Sequence, residues 1–287
     1  MRRLGVILLL LSSLGLSRAA FENLTAGPVS DALGGAFTAL AHTPDGLYLN
    51  PAGLAYTPPQ AYAAYLVPFG GLNVGLNNLQ ATVVVPWHEY TWAVSLKRFG
   101  ASLASEGYDT AYTGTYAEAA WTVSVARSLS EGIAVGANLH YLQFQEPRFG
   151  NAGALGLDLG LRIRLYRRWH FGLAALNLNR PTLETETEAE RLPSVLAVGL
   201  AYRPFPSVIT LLEVKKDPRH PATLSVGQQV GLWNDQLVLR GGVEHQGENT
   251  FPSLGFGLRW GHLSLDYVAR FTPGLPLTHG LGLAYRR

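Results

Sequence analysis

The residues best placed for chemistry in this sequence are His262 and Asp266, an imidazole and a carboxylate separated by four positions. Such a pair could serve acid–base catalysis if the two side chains touched. The alternation around them indicates a β-strand, in which four positions span roughly 13 Å. The eight histidines are otherwise scattered, without the spacing of a metal site or a His-Glu-x-x-His motif. We therefore expect neither an enzyme nor a cofactor.

The overall composition narrows the class of protein further. Charged residues make up 15% of the 287 residues and hydrophobic residues 47%, which is poor in charge for a soluble domain. The formal net charge is +2 and no run of Lys and Arg occurs, so nucleic acid is not an expected partner. The chain has no cysteine. Disulfides, thiol nucleophiles and Cys-based metal sites are thereby excluded.

The elements that must carry these residues are strands, because hydrophobicity alternates with period two. In Ala154–Leu165 every odd position is Leu or Ile, and the even positions include Asp158, Arg162 and Arg164. A strand sorts two such sets onto opposite faces, whereas a helix cannot. The segment His262–Phe271 repeats the pattern. Fourteen spans of this kind are predicted: 59–67, 79–86, 90–99, 115–126, 132–144, 152–165, 168–178, 194–203, 207–216, 221–230, 236–246, 251–260, 262–271 and 278–286.

The connections alternate between short turns and mostly longer loops. Bacterial outer-membrane barrels have short turns on the periplasmic rim and longer loops outside. The pattern therefore predicts an all-β fold: a transmembrane antiparallel β-barrel of about 14 strands over residues 57–287. An even strand count places both termini on the periplasmic side. A soluble, secreted β-sandwich binding protein is the alternative, but aromatic residues near the strand ends favour the membrane barrel. These are Trp87, Tyr90, Trp92, Trp121, Tyr166, Trp169, Tyr202, Trp233 and Trp260.

If the apolar face meets lipid, the other face lines the lumen. Both signs of charge occur there, which indicates ion-pair networks across the interior rather than a selective ion site. The lumen-facing charges are predicted to be Asp158, Arg162, Arg164, Glu213, Lys215, Arg240, Glu244, Arg259, Asp266, Arg270 and Arg286.

Two segments precede the barrel. Residues 1–19 have a basic start and an apolar core, with Ser17 and Ala19 flanking Arg18, which is typical of a signal peptide cleaved after Ala19. Residues 20–56 lack the strand pattern and are predicted to form a helical plug in the barrel lumen. Within them, Asn50 is expected to cap a helix that begins at Pro51.

The stretch Asp31–Ala55 resembles the N-terminal signature of the FadL-type outer-membrane superfamily, and its Gly-Gly-Ala-Phe start is most similar to the PorV/PorQ-type branch. The resemblance is specific over about 25 residues and architectural elsewhere. It implies a fourteen-stranded barrel whose N-terminal hatch occupies the lumen. By position, the implied hatch residues are Gly34, Gly35, Ala36, Asn50, Pro51, Ala52 and Gly53.

Two functions are compatible with this resemblance. The first is passive transport of hydrophobic or amphipathic small molecules through a plugged channel. The second is a secretion accessory that docks exported proteins, as in a type IX-like system. Both imply Sec export to the bacterial outer membrane, with membrane lipid and the barrel-assembly machinery as partners. The sequence does not choose between a hydrophobic ligand and secretion-system proteins.

Overall fold

A computed structural model describes residues 21, 26–70, 74–103, 115–146, 150–185 and 189–287. The predicted signal peptide, residues 1–19, lies outside the described residues. One α-helix, α1 (Pro28–Ala32), is followed by two 3₁₀-helices, Pro44–Tyr48 and Pro51–Tyr56. None of the described helices has the length and hydrophobicity needed to cross a membrane.

The strands are β1 (Gln60–Val67), β2 (Val74–Trp87), β3 (Tyr90–Leu103), β4 (Thr115–Ser130), β5 (Ile133–Glu146), β6 (Gly150–Leu165), β7 (Trp169–Leu176), β8 (Thr182–Glu184), β9 (Ala189–Arg191), β10 (Val195–Phe205), β11 (Val208–Lys216), β12 (Thr223–Leu232), β13 (Leu237–Gln246), β14 (Asn249–Trp260), β15 (Leu263–Arg270) and β16 (Thr278–Arg286).

Fourteen of these strands form one closed antiparallel barrel, which confirms the predicted strand number and barrel architecture. Each barrel strand pairs with its neighbour along the chain, and β1 closes the ring against β16 with Gln60 opposite Arg286 and Val67 opposite His279. Closure leaves no unpaired edge in the barrel. The remaining strands, β8 and β9, form a separate hairpin inside the long connection between β7 and β10. The sequence pattern missed this hairpin because strands of three residues are too short to show alternation.

The two rims of the barrel differ. The short-turn rim carries the connections after β2, β4, β6, β10, β12 and β14, together with Arg287, whose N–H donates to Pro59 O. The long-loop rim carries the other connections, although the β13–β14 connection has only two residues, Gly247 and Glu248. Strands β2–β6 have 14 to 16 residues, whereas β10–β16 have 8 to 12. The wall is therefore taller on the β2–β6 side.

The outer face of the barrel is apolar over a band that runs around the wall. Val83, Val123, Leu139 and Leu283 are about half exposed, at 52%, 47%, 52% and 51%. Beyond this band the tall strands turn polar, with Gln143 and Gln145 of β5 exposed near the long-loop rim. A barrel with this outer surface keeps its apolar side chains outside and its polar ones inside, the reverse of a soluble β-sandwich.

Candidate functional site: the barrel interior

The N-terminal segment Gly27–Thr57 lies against the buried face of the wall, so the interior is filled by the chain's own residues. Val29, Leu33 and Phe37 form an apolar cluster with wall residues such as Ile209 and Leu211 of β11. The two 3₁₀-helices pack on the opposite side. Leu47 and Leu54 contact Val84 of β2, Ala93 of β3 and Ala126 of β4.

Glycines in the wall let the backbone of this segment approach closely. A Cβ added at Gly242 would lie 2.1 Å from Leu33 C, and one at Gly136 would lie 2.4 Å from Pro51 C. Contacts below 3.0 Å are essentially never seen for a real Cβ. Only glycine fits such positions unless the segment moves. The glycines with this role are Gly136, Gly160, Gly172, Gly199, Gly227, Gly242 and Gly255.

Glu213 of β11 holds the first half of the segment. Its carboxylate oxygen Oε2 accepts hydrogen bonds from the backbone N–H groups of Phe37 (2.8 Å) and Thr38 (2.7 Å). The side chain is almost completely buried. A second wall residue, Ser253, accepts from Gly34 N–H at 3.2 Å. The Gly34 and Phe37 N–H groups also bond backbone oxygens, Asp31 O at 3.1 Å and Gly35 O at 2.9 Å, so the wall adds a second acceptor to each of them and supplies one to Thr38.

Asparagines hold the second half. Asn50 Nδ2 donates to Thr38 O (2.8 Å) and to Leu161 O of β6 (3.0 Å), while its Oδ1 accepts from Ala52 N–H. Asn50 is thus the N-cap of the helix that begins at Pro51, as its sequence context predicts. Asn138 of β5 donates to Leu47 O at 2.9 Å. The segment is therefore fastened on both sides of the barrel.

A buried polar network on β4–β6 was not predicted from the sequence. His140 lies between Thr122, whose Oγ1 is 2.8 Å from Nδ1, and Asp158, which bonds Nε2. The Tyr48 ring stacks on the His140 ring at 6.2 Å between centroids. Lys97 of β3 was not among the predicted lumen charges either, and its Nζ lies 4.2 Å from the centre of the Tyr48 ring. Their inward positions follow from the strand alternation, but nothing in the sequence shows that they converge on Tyr48.

Asp45 joins the two halves of the segment. Its Oδ2 accepts from Val29 N–H (3.0 Å) and Ser30 N–H (3.2 Å) in the first turn of α1, and Thr43 Oγ1 donates to its Oδ1. Burial raises the pKa of Asp45, and the hydrogen bonds from Thr43 and Ser30 oppose that rise. Because Asp45 lies far from any predicted strand, no periodic pattern marks it as a buried group.

Burial also raises the pKa of Asp31 from 3.8 to about 6, against the attraction of Arg270 and Lys97. The docked segment then binds more protons than the undocked one between these two pKa values. Asp31 by itself therefore weakens docking by up to about 3 kcal/mol as the pH rises from 4 to 7. His42 acts in the opposite direction, because burial lowers its pKa from 6.5 to about 3. The undocked segment then binds more protons at His42 below pH 6.5, which weakens docking as the pH falls.

The variant Asp31→Asn should lose the contribution of this carboxyl and keep those of His42 and Asp45. In the wild type Asp31 opposes His42, so we expect hydrogen exchange of the Val29–Leu33 amides, after correction for intrinsic exchange, to slow down more between pH 4 and 7 in the variant than in the wild type. An equal pH dependence in both proteins would show that Asp31 is not the titrating group.

All eleven charges predicted to face the lumen lie on the inner face of the wall, with Arg164 exposed at the rim and Arg286 partly buried in β16. Asp266 pairs with Arg240 at 2.7 Å, and Glu244 pairs with Arg270 at 3.1 Å. Arg162 lies over the Tyr56 ring, 4.3 Å from its centre. The others have these partners: Glu213 with Lys215 at 3.8 Å, Arg259 with Asp235 at 3.8 Å, Arg164 with Glu131 at 3.9 Å and Asp158 with His140. Two of these pairs, Arg240–Asp266 and Glu244–Arg270, join β13 to β15 across the intervening strand β14.

The seven implied hatch residues all lie within the buried segment. Gly34 and Gly35 follow α1 with φ of +64° and +76°, a conformation that favours glycine. Ala36 and Ala52 are fully buried, and Pro51 begins the second 3₁₀-helix. Gly53 abuts Ala41, because a Cβ there would lie 2.0 Å from Ala41 O. The helix at Asp31 is shorter than its Ala-rich sequence suggests, since these glycines end it.

A second apolar cluster lies near the long-loop rim. Leu183 of β8 and Leu192, which follows β9, pack on Ala120 of β4 and Leu142 of β5. Phe21 packs against the same cluster. The hairpin therefore folds onto the inner wall beside the N-terminal segment. Phe21 lies near the long-loop rim and Arg287 at the short-turn rim, and the predicted periplasmic position of the N-terminus falls outside the described residues.

The structure does not bring together the pair first considered for catalysis. His262 lies at the short-turn rim with Nδ1 2.9 Å from Arg286 O, whereas Asp266 lies inside with Arg240. Among the described residues, no three His, Asp or Glu side chains converge as a metal site.

No protein-family model and no curated sequence matches this chain. Solved structures of the same shape exist. The CymD monoaromatic hydrocarbon channel aligns with a TM-score of 0.67 at 15% identity, over 93% of this chain and 99% of its own. The Pseudomonas putida toluene transporter TodX gives 0.65 at 13% identity, over 92% and 98%. A Pseudomonas aeruginosa FadL homologue gives 0.64 at 13%, over 92% and 98%. The chain therefore shares the closed barrel fold of these FadL-type proteins.

Proposed function

We propose that this protein is a bacterial outer-membrane channel for hydrophobic small molecules, and that Gly27–Thr57 is its hatch. The observation that carries the proposal is the close packing of this segment on the inward-facing glycines of the barrel wall, in a fold shared with hydrocarbon channels. An enzyme has no need of a removable plug, and a soluble binding protein has no need of an apolar outer band.

The outer surface supports a membrane location. On β5 every outward residue from Ile133 to Tyr141 is apolar, a span of eight positions that corresponds to about 21 Å at the usual tilt of a barrel strand. Large aromatic residues stand out at the short-turn rim, including Trp87, Tyr166, Trp233 and Trp260. Such residues favour the interface between lipid and water. Lipid and the barrel-assembly machinery are the partners that this location requires.

The variant Val123→Arg tests the membrane location. Val123 lies in the middle of the apolar band, so a charge there should lower the free energy of unfolding in lipid vesicles by about 2–4 kcal/mol. Arginine at Gln145, on the same outer face but beyond the band, should change it by less than about 1 kcal/mol. Equal effects of the two substitutions in urea titrations would argue against lipid at Val123.

The channel proposal is tested by locking the hatch. A Cβ on Gly199 would lie 3.3 Å from Ala39 Cβ, close to the spacing of a disulfide, and the chain has no other cysteine. We expect cells that carry the oxidised double variant Ala39→Cys/Gly199→Cys to take up toluene no faster than cells without the protein. Reduction of the disulfide should restore uptake. The two single-cysteine variants are the controls. Gly199→Cys alone measures the displacement that its Cβ causes at 2.8 Å from Ala39 N, and the effect of the lock is the difference between the oxidised and reduced double variant. Toluene uptake that is unaffected by the lock would contradict a moving hatch.

The secretion-accessory role remains a second proposal, supported by the likeness of Asp31–Ala55 to the PorV/PorQ branch. It predicts that the detergent-solubilised protein co-purifies with secretion components or exported proteins. A barrel that purifies alone and conducts toluene would favour transport.

We assign the Thr122–His140–Asp158 network to fastening the hatch rather than to hydrolysis. The Thr122 side chain is only 1% exposed, so the bound hatch keeps any substrate from its hydroxyl.

A further inference from the structure

Three arginines gather on the inner face of the barrel at the short-turn rim. Arg162 and Arg164 lie near the end of β6, two positions apart and therefore on the same face. Arg164 is the Cα partner of His170 on β7, and Arg203 on β10 lies two residues beyond Ala201, the other partner of His170. All three arginines act electrostatically on His170. The strand register therefore places three guanidinium groups around one imidazole.

The hatch forms the floor beneath these side chains. Arg162 Cζ lies 4.3 Å from the centre of the Tyr56 ring, at the end of the second 3₁₀-helix. Arg162 and Arg203 also act electrostatically on His42 of the hatch, as does Arg259 from the opposite part of the wall. Arg203 is exposed, so the enclosure opens at the short-turn rim. We call it the arginine vestibule, and its residues are His42, Tyr56, Arg162, Arg164, His170 and Arg203.

These arginines lack the close carboxylate partners that the arginines of β13 and β15 have. Among the described residues, Arg162 and Arg203 form no ion pair, and Arg164 has only the exposed Glu131, at 3.9 Å. Arg162 is 9% exposed, and its Nη1 atom has no hydrogen-bond partner within the described part of the chain. The same is true of His42 Nδ1. An unpaired buried charge costs free energy, which a bound anion would offset.

We propose that the arginine vestibule is a phosphate-binding site in which Arg162, Arg164 and Arg203 hold the anion. A guanidinium presents a planar fork of N–H donors that matches two phosphate oxygens. A phosphate monoester carries about 1.5–2 negative charges at pH 7, so it balances more of the three positive charges than a carboxylate does. The imidazole of His42 adds a further N–H donor.

A soluble phosphate and a lipid headgroup share this chemistry. Because the arginines lie on the inner face, a free phosphate ion or a small phosphate ester reaches them from the compartment that the short turns face. The inference rests on the barrel and its hatch and not on hydrocarbon transport, so toluene uptake tests the proposed function separately.

The first test measures binding to the wild-type protein, purified in the nonionic detergent dodecyl maltoside. Titration calorimetry with inorganic phosphate at pH 7 and low ionic strength should detect one site. Arg203→Gln replaces an exposed side chain and leaves the packing intact, and we expect it to weaken phosphate binding about tenfold. Arg162→Gln should have an effect of the same size.

Arg127→Gln is the matched control. Arg127 lies at the same rim but on the outer face of β4, where it pairs with Glu89 at 2.6 Å. Its replacement should leave the phosphate affinity unchanged. The heat-dependent migration of each variant in detergent gels reports whether it remains a folded barrel.

The second test locates the anion through the NMR signals of the imidazoles, assigned with His42→Gln and His170→Gln. Phosphate should shift the signals of His42 and His170. The signal of His220 should stay in place, because His220 lies in the β11–β12 connection at the long-loop rim, beside Asp217. Short-chain phosphatidic acid, titrated in place of inorganic phosphate, distinguishes the two sources. Shifts caused by the ion alone assign a soluble ligand, and shifts that need the lipid assign a headgroup.

Three results would overturn the proposal. Folded wild-type protein that binds neither inorganic phosphate nor phosphatidic acid has no such site. Affinity that is as high in Arg203→Gln and Arg162→Gln as in Arg127→Gln would show that the vestibule does not hold the anion. Shifts of His220 as large as those of His42 would show unspecific binding to the surface.

Discussion

Replacing Glu213 by leucine should release the first half of the hatch. The substitution leaves the buried N–H groups of Phe37 and Thr38 without the acceptor that now bonds both. The Phe37 N–H keeps a bond to Gly35 O at 2.9 Å, whereas the Thr38 N–H loses its acceptor. A buried donor that loses its partner costs about 1–3 kcal/mol, so docking should weaken by about that amount. Hydrogen exchange of these two amides, and leakage of a hydrophilic dye from vesicles that contain the barrel, measure the release.

Glu213→Gln is the matched variant, because both N–H groups bond the same carboxylate oxygen and an amide oxygen can take its place. We expect it to retain most of the protection of both amides, with weaker bonds because the acceptor is neutral. If Gln and Leu proved equally harmful, the charge of Glu213 near Lys215, rather than its hydrogen bonds, would be what holds the hatch.

Replacing Gly242 by alanine should push the hatch away from the wall. The added Cβ would meet Leu33 C at 2.1 Å and Gly34 N at 2.2 Å, both backbone atoms that cannot rotate away. Overpacking of this kind costs about 1–3 kcal/mol, which would raise the population of undocked hatch about 5- to 150-fold. The same dye leakage assay reads the change, and thermal unfolding gives its cost in stability.

The neighbouring glycine provides the control. Gly241 faces outward, and a Cβ there would meet only Leu254 Cδ2 at 3.4 Å, an ordinary contact. Gly241→Ala should therefore leave leakage unchanged. Because the two residues are adjacent in β13, a difference between them reports on the hatch and not on the strand. Equal dye leakage in the two variants would mean that the substitutions perturb the barrel wall itself and not the docking of the hatch.

The strands could be predicted because the residue types on the two faces of each strand differ and alternate along the sequence. The span predicted over 278–286 coincides with β16, and 262–271 differs from β15 (Leu263–Arg270) by one residue at each end. In a barrel wall, every second residue faces outward and is usually apolar, and the residues between them face the interior and are mostly small or polar. Local alternation therefore carries the whole signal, including the inward position of Arg240 and Asp266.

The interior was less predictable, since its contacts join residues far apart in the chain. Lys97 and His140 sit at inward positions of predicted strands, yet their meeting at Tyr48 depends on how the hatch is seated. Asp31 and Asp45 lie in a segment without periodicity. The β8–β9 hairpin is too short to alternate, and only its packing on Ala120 and Leu142 defines it.

The sequence by itself determined the strand order, the face of each wall residue, the Asn50 cap and the existence of a separate N-terminal unit. Only the tertiary structure decided which glycine faces which hatch residue, that Glu213 bonds Phe37 and Thr38, and that three arginines gather around His170 at the short-turn rim. The physical reason is the separation along the chain of the residues that interact. Alternation and capping are set by neighbours along the chain, whereas barrel closure brings together groups separated by up to about 200 residues, such as Gly34 and Ser253.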